Sequence, residues 1–593
     1  MTTTNASPKR SPTTLIDLPP ELWQQIADHL ETASSLSNFS RTSKSLYAAI
    51  EKDGWKSFCR SRFPSIAPRT TPSFRETART LTRLSRAWDR RAFVARHVEP
   101  RGDITSYPGG KQLDRWKPPK GQTIGFTPQL DVYEEVGQTW RDRKETLAFS
   151  AGAQVCLRRT SGENVKWTTY RPRTAREGKD DITTMHLLRP FEGDPSSDRQ
   201  RVVTGTANGD LQMLNLPLDG REGQDVDITY FTTQGKCVRA ASVLERPGNT
   251  TLLAANLSDA RVALYKVCSE QSKIAPTSEL EVVPPLQANG NPSGFFRLWS
   301  TNFLSPSMLA IGTGPSESPI SVYSLRDSGL SQTPTRKFGL QRGSPSSVYC
   351  TVPLPTSNGT PSDGNVFLSG AYDGVVRLHD LRSNRDVEQA WSDPADDGTI
   401  YNILPRGQEK ILVGTSRHHL LKVFDMRMEA KRYNYLDGYQ SSRDQSGPSD
   451  YNIFLRPNNT SFTARGSGWG RSRNFTTESS VYSLASPSFH SPYIYAGIEG
   501  AIWSLAFTEV LDKHPDPVWF EPWSAGKESK AGSAKGFNSK EVLGLAMYDQ
   551  GTVMKLQVQR SLWETWRACT PRRKGVDHGL LDERWKGANE FGP

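Results

Sequence analysis

Cysteine is scarce. The six in 593 residues, Cys59, Cys156, Cys237, Cys268, Cys350 and Cys569, lie far apart, with no Cys-x-x-Cys pair and no histidine following at zinc-ligand spacing. A disulfide framework and a structural zinc site are thereby disfavoured, and free thiols in a reducing compartment are expected. Long apolar runs are missing too. No stretch of ~18 residues is apolar enough to span a bilayer, and residues 1–14 carry no apolar signal-peptide core. The expectation is a cytoplasmic or nuclear protein with no membrane partner.

Long runs of one charge sign are lacking. A formal +11 with pI near 9.2 is modest over this length, and the lysines and arginines are dispersed. No RNA-recognition, zinc-finger or basic-zipper pattern occurs, so a nucleic-acid partner is not expected. Catalytic frames are also lacking: the nine histidines are scattered, with no His-Glu-x-x-His frame and no Gly-x-Ser-x-Gly elbow. Gly466-Ser467-Gly468-Trp469-Gly470 has no P-loop lysine after it. His418-His419, if on a strand, point to opposite faces and cannot share one ion. No enzyme activity, cofactor or metal is expected.

What is present begins at residue 15. Leu22, Ile26 and Leu30 recur at four-residue spacing behind Pro19 and Pro20, which suit a first helical turn, with Asp17 as N-cap. A second helix is expected over 34–49 with Leu36, Phe39 and Leu46, followed by Trp55 and Phe58. A unit of ~50 residues buries a modest share of its surface, which leaves apolar positions for a partner.

These residues resemble the F-box in Leu18, Pro19, Glu21, Leu22, Ile26, Leu30, Leu36, Ser40, Arg41, Ser43, Leu46 and Trp55. The resemblance implies docking of a Skp-type adaptor, and through it a cullin scaffold, by Leu18, Pro19, Leu22, Ile26, Leu30 and Leu36. The plain alternative is a helical hairpin that uses them only as core.

From about residue 147 a second pattern recurs at intervals of ~50 residues: apolar strand, small residue, polar turn with glycine, apolar strand. Its clearest copy is 370–381, Gly-Ala-Tyr-Asp-Gly-Val-Val-Arg-Leu-His-Asp-Leu. Asn208-Gly209 and Asp373-Gly374 supply the positive backbone angles of tight hairpins. A further strand precedes most copies, at Val238, Phe296, Val348, Ile400 and Val481. The region resembles a degenerate WD-repeat propeller, with His379-Asp380 and Phe424-Asp425 standing where Trp-Asp falls.

The expected architecture is therefore a small all-α F-box domain followed by an all-β seven-bladed β-propeller. Residues 542–558 join 147–157 and 166–170 in one composite blade; eight blades is the alternative if both end hairpins head separate blades. The domains divide as a disordered tail at 1–12, F-box at 13–64, helical linker at 65–100, propeller at 101–560 with a long loop near 432–478, and a tail at 561–593. The linker's apolar Phe74, Leu81, Leu84, Trp88 and Phe93 suit a helix that acts as a stiff arm or simply carries solvated arginines. In the tail, Trp563, Trp566 and Trp585 can fold back onto the body, and 571–574 is basic enough for a nuclear-import patch.

Arg239, Arg297, Tyr349, Tyr401 and Tyr482 share one register, after the first apolar residue of successive inner strands. Around a propeller they form a ring near the channel, where arginine and tyrosine suit protein recognition. The other reading is that they pack between blades. The function expected is the substrate-recognition subunit of a cullin-RING ubiquitin ligase, taking an unidentified protein substrate; the alternative is a non-ligase scaffold for complex assembly.

Overall fold

The computed structural model describes residues 18–30, 32–68, 71, 73–119, 125–135, 143–162, 164–190, 199–218, 225–246, 250–268, 271–285, 296–340, 345–355, 363–426, 450–455, 479–508, 542–543, 545–550, 556–560, 581–582 and 584–588. Among them, helices occupy only the front of the chain: α1 Pro20–His29, α2 Ala33–Ser40, α3 Lys44–Ala49, α4 Trp55–Arg62 and α5 Phe74–Asp89. Pro20 takes the first helical position, where an absent N–H leaves nothing unpaired. The single helix expected over 34–49 is two helices, because two residues cap. Thr32 Oγ1 accepts from the Ser35 N–H at 3.0 Å and Ser43 Oγ from the Leu46 N–H at 3.2 Å.

α1 to α4 close on a core of Ala27, Leu36, Ile50, Trp55, Phe58 and Phe63, which Ala78 and Leu81 of α5 complete. One turn later α5 changes company. Leu84, Ala87 and Trp88 enter the core of the β region, and the Trp88 ring stacks on Phe507 at 3.7 Å and 15°. The helix stops at Asp89, and the chain turns at Arg91 with a left-handed φ of 55°. Residues expected to continue the helical linker form a strand instead. Phe93–Val98 pairs antiparallel with Ala501–Phe507.

The strands of the described residues fall into seven sheets. Their inner strands are Leu130–Glu135, Ile182–Leu188, Val238–Arg246, Arg297–Ser305, Val348–Pro353, Ile400–Arg406 and Val481–Ala485. Each touches the next, and the last touches the first, so the sheets close around an axis as an all-β propeller. The composite blade does not form as expected. Lys144–Ala151, Gln154–Ser161 and Asn164–Tyr170 take Leu130–Glu135 as inner strand and Ile104–Tyr107 as a parallel outer one. The charged run Asp-Val-Tyr-Glu-Glu hid that inner strand, yet Asp131 is held by the Leu187 N–H at 2.7 Å.

The chain ends are tied at two other places. Val542–Leu543 flanks Phe93–Val98 on the last sheet. Ala546–Asp549, Gln557–Gln559 and Trp585–Gly587 extend the sheet of Ile400–Arg406. The 546–559 hairpin thus heads no sheet of its own, which removes the eight-blade alternative. Tyr451–Phe454, inside the loop expected over 432–478, is a strand of that same sheet, with Tyr451 and Ile453 in its core. Residues 432–449 and 456–478 of that loop, Trp563, Trp566 and the 571–574 cluster lie outside the described residues. Trp585 folds back onto the body: its ring sits 5.6 Å from Phe93, and its Nε1 donates to Arg91 O at 2.8 Å.

Two devices close the ring. The recurring small residue of the repeat lets neighbouring sheets approach: a Cβ at Gly370 would lie 2.4 Å from Ile400 Cγ2 of the next inner strand. At the junction of first and last sheets, Arg158 Nη2 donates to Glu145 Oε1 and to Tyr495 Oη, each at 2.7 Å. Arg143 Nε donates to Glu134 at 2.6 Å and the same guanidinium pairs with Glu145. Burial alone would raise the Glu145 pKa; the charges of Arg143 and Arg158 reverse this and hold it below the usual range.

Candidate protein-interaction sites

Two surfaces at opposite ends of the inner strands collect the residues of interest. Pairing slips by one residue after Ile182, Val238, Leu298, Val348, Ile400 and Val481, so six inner strands carry a bulge at the same place. Leu130–Glu135 pairs without one. In each bulged strand the residue before the slip is buried, and the extra residue is pushed out of the ladder. The extra residues are Thr183, Arg239, Trp299, Tyr349, Tyr401 and Tyr482.

The rings among them make a continuous arc over four sheets. Trp299 and Tyr349 are 4.7 Å apart between centroids, Tyr349 and Tyr401 5.5 Å, and Tyr401 and Tyr482 6.5 Å. All four are half-buried, while Arg239 and Arg297 are exposed. Burial pushes the Tyr349 and Tyr482 hydroxyl pKa values up, so both stay protonated donors near neutral pH. Arg239, Tyr349, Tyr401 and Tyr482 are thus equivalent, as the register implied. Arg297 is not: it stands two residues before its bulge, and its Cζ lies 5.7 Å from the Trp299 ring centroid.

Sequence reasoning missed Trp299 and Thr183. Phe296 looked like the first apolar residue of its strand, whereas Leu298 is the buried equivalent. The usable signal was the next residue, which faces a glycine across the ladder: Ser300 opposite Gly312, Cys350 opposite Gly370, Ser483 opposite Gly497.

Below the arc, side chains tie neighbouring inner strands into a rigid wall. Thr183 Oγ1 donates to Val238 O at 2.7 Å, the Phe303 N–H to Ser242 Oγ at 3.2 Å, Asn302 Nδ2 to Thr351 O at 3.0 Å and Ser483 Oγ to Pro128 O at 2.7 Å. His418 and His419 lie on no strand but form the turn before Leu420–Asp425, both left-handed at φ 61° and 51°. Among the described residues no group of three or more His, Cys, Asp or Glu converges as a metal site. No described helix is long and apolar enough to cross a membrane.

The helical unit sits at the other end. Ile400 begins its inner strand at the mouth; Arg406 ends it under the helices. There the Gln408 N–H donates to Ser65 Oγ at 2.8 Å, Lys410 Nζ lies 2.8 Å from Asp425 and 3.6 Å from Asp89 of α5, and the Arg406 guanidinium is 5.3 Å from the Trp88 ring centroid. At ~3.3 Å per residue, an inner strand of this length separates the two ends by about 20 Å.

On the helical unit, Leu22 is 39% exposed and Leu36 is at 0%. Pro19 is exposed, and Leu18, Ile26 and Leu30 are half-buried. The unit therefore keeps Leu22 and Ile26 of α1 outside its core, while Leu30, just after the helix, packs against that core and Leu36 lies inside it. Residues 15–61 match the F-box-like family. The N-terminal unit is thus an F-box-like domain, a class that generally binds Skp-type adaptors and is non-catalytic. No curated protein matches the chain. α5 lies beyond the matched residues, yet it completes the F-box core with Ala78 and Leu81.

Proposed function

We propose that this protein is the substrate-recognition subunit of a cullin-RING ubiquitin ligase in the cytoplasm or nucleus. The F-box would dock a Skp-type adaptor through Leu18, Pro19, Leu22, Ile26 and Leu30, and the propeller, a degenerate WD-repeat array, would hold the protein to be modified. The observation that carries this reading is the match over 15–61 together with the apolar Leu22 and Ile26 of α1, which lie outside the F-box core. The chain itself performs no bond chemistry in this reading. It raises the local concentration of substrate near a charged ubiquitin-conjugating enzyme, and a rigid α5 suits that task because a fixed geometry loses less to linker entropy.

The test is co-purification of the full chain with a Skp-type adaptor and a cullin. Recovery of both is expected, and both should vanish with Leu22→Asp combined with Ile26→Asp while the thermal melt of the propeller stays in place. Adaptor without cullin in the wild type, or unchanged recovery in the variant, would reject the assignment.

A further inference from the structure

The arc at the mouth of the channel specifies what kind of segment it takes, an inference that rests on the propeller being the cargo-holding part. Three observations carry it. The four rings Trp299, Tyr349, Tyr401 and Tyr482 follow one another at 4.7, 5.5 and 6.5 Å across adjacent sheets, half-buried and held by the same bulge. Both cations stand at the Trp299 end: Arg297 beside the Trp299 ring, and Arg239 at the bulge of the preceding sheet. At the Tyr482 end an acid is present: Glu499 acts on the Tyr482 hydroxyl and accepts from the Gly125 N–H at 3.2 Å.

We infer that the mouth binds an extended peptide in one direction, with planar side chains, aromatic or proline, laid along the arc and an anionic side chain at Arg239 and Arg297. The ring-to-ring path is about 17 Å, which an extended chain at ~3.3 Å per residue covers in about five residues. Half-buried tyrosine and tryptophan offer large, stiff contact faces at little entropic cost, and aromatic-lined surfaces accept proline-rich segments for the same reason. Two exposed guanidiniums at one end oppose a cationic ligand there and pair with carboxylate or phosphate. The bulges fix the rings before the ligand arrives, which limits the ordering cost of binding.

The experiment uses the full chain and degenerate eight-residue fluorescent peptides drawn from Pro, Tyr, Trp and Phe, ending in Asp, phosphoserine, Lys or Ser, read by anisotropy. The expected order is anionic over neutral over Lys, with at least a tenfold gap between the first and last. Binding of the Asp series identifies carboxylate as the anion, and binding of the phosphoserine series alone identifies phosphate; either supports the inference. Tyr401→Ala and Trp299→Ala should each weaken the anionic series about tenfold, Tyr401→Phe should retain it, and Arg239→Glu with Arg297→Glu should invert the preference toward Lys. Unchanged melting and adaptor recovery establish that the variants are folded. Equal binding of Lys and anionic series, or no loss in the alanine variants, overturns it. Adaptor and cullin recovery in those same variants is scored separately, so a mouth that fails leaves the ligase reading standing on its own test.

Discussion

His379 is a single buried side chain expected to make the propeller sensitive to acid. Its Nδ1 lies 2.6 Å from Asp386 O, which requires that nitrogen to carry the proton, and its Nε2 lies 2.8 Å from Ser369 Oγ as acceptor. Burial lowers its pKa to about 4, against the backbone bond to Asp386, which alone would raise it. The unfolded chain, with its histidine near 6.5, binds more protons than the folded one between those values, so stability is full above about pH 6.5 and falls toward pH 4. The loss expected is about 3 kcal/mol. Urea midpoints between pH 7 and 4 should show that slope, and His379→Gln should flatten it. Gly370 makes a second residue-scale case. Gly370→Ala places a methyl 2.4 Å from Ile400 Cγ2, and overpacking of that kind should cost about 1–3 kcal/mol, read as a lower urea midpoint with an unchanged slope.

Among elements, α5 and the strand after it bind the two domains to each other. One face of the helix finishes the F-box core, the next turn puts Trp88 against Phe507, and Phe93–Val98 then supplies an outer strand to the last sheet. Removing residues 1–98 should therefore do more than remove the F-box. It strips Ala501–Phe507 of one of its two partner strands, and the remaining propeller should melt earlier and be cut by protease faster than a chain cut at residue 73. Trp88→Ala should destabilise by about 3–5 kcal/mol, because a large buried ring leaves a void at the only helix that enters the β core among the described residues. The helix was legible from its apolar spacing, but its end was not. Asp-Arg-Arg-Ala after Trp88 holds neither glycine nor proline to stop a helix, and what ends it is the turn at Arg91 together with a partner strand more than 400 residues further on.

Across the whole molecule, adaptor surface and channel mouth stand at opposite ends of the inner strands, with the rigid hydrogen-bonded wall between them. Perturbations at the two ends should be independent. Leu22→Asp should leave peptide binding at the mouth unchanged within about twofold, Tyr401→Ala should leave adaptor recovery unchanged, and the double variant should show the sum of the single effects in free energy. A departure from additivity of more than about 0.5 kcal/mol would mean the propeller transmits between its faces.

Parts that rest on short-range chemistry are legible in the residues alone: the four-residue spacing of Leu22, Ile26 and Leu30, the glycine turns, Gly374 at φ 73° among them, and the ~50-residue beat of strands. The residues alone also place Tyr349, Tyr401 and Tyr482 in one register, since a shared local pattern gives a shared place in each sheet. Tertiary structure alone decided which strands complete which sheet, that Leu36 is core, and that Trp299 rather than Arg297 stands in the arc. The reason is physical. Half of Leu-Asp-Val-Tyr-Glu-Glu bears carboxylates, and Tyr-Asn-Ile-Phe, though built of strand formers, is only four residues long; each becomes a strand where a distant edge offers its hydrogen bonds.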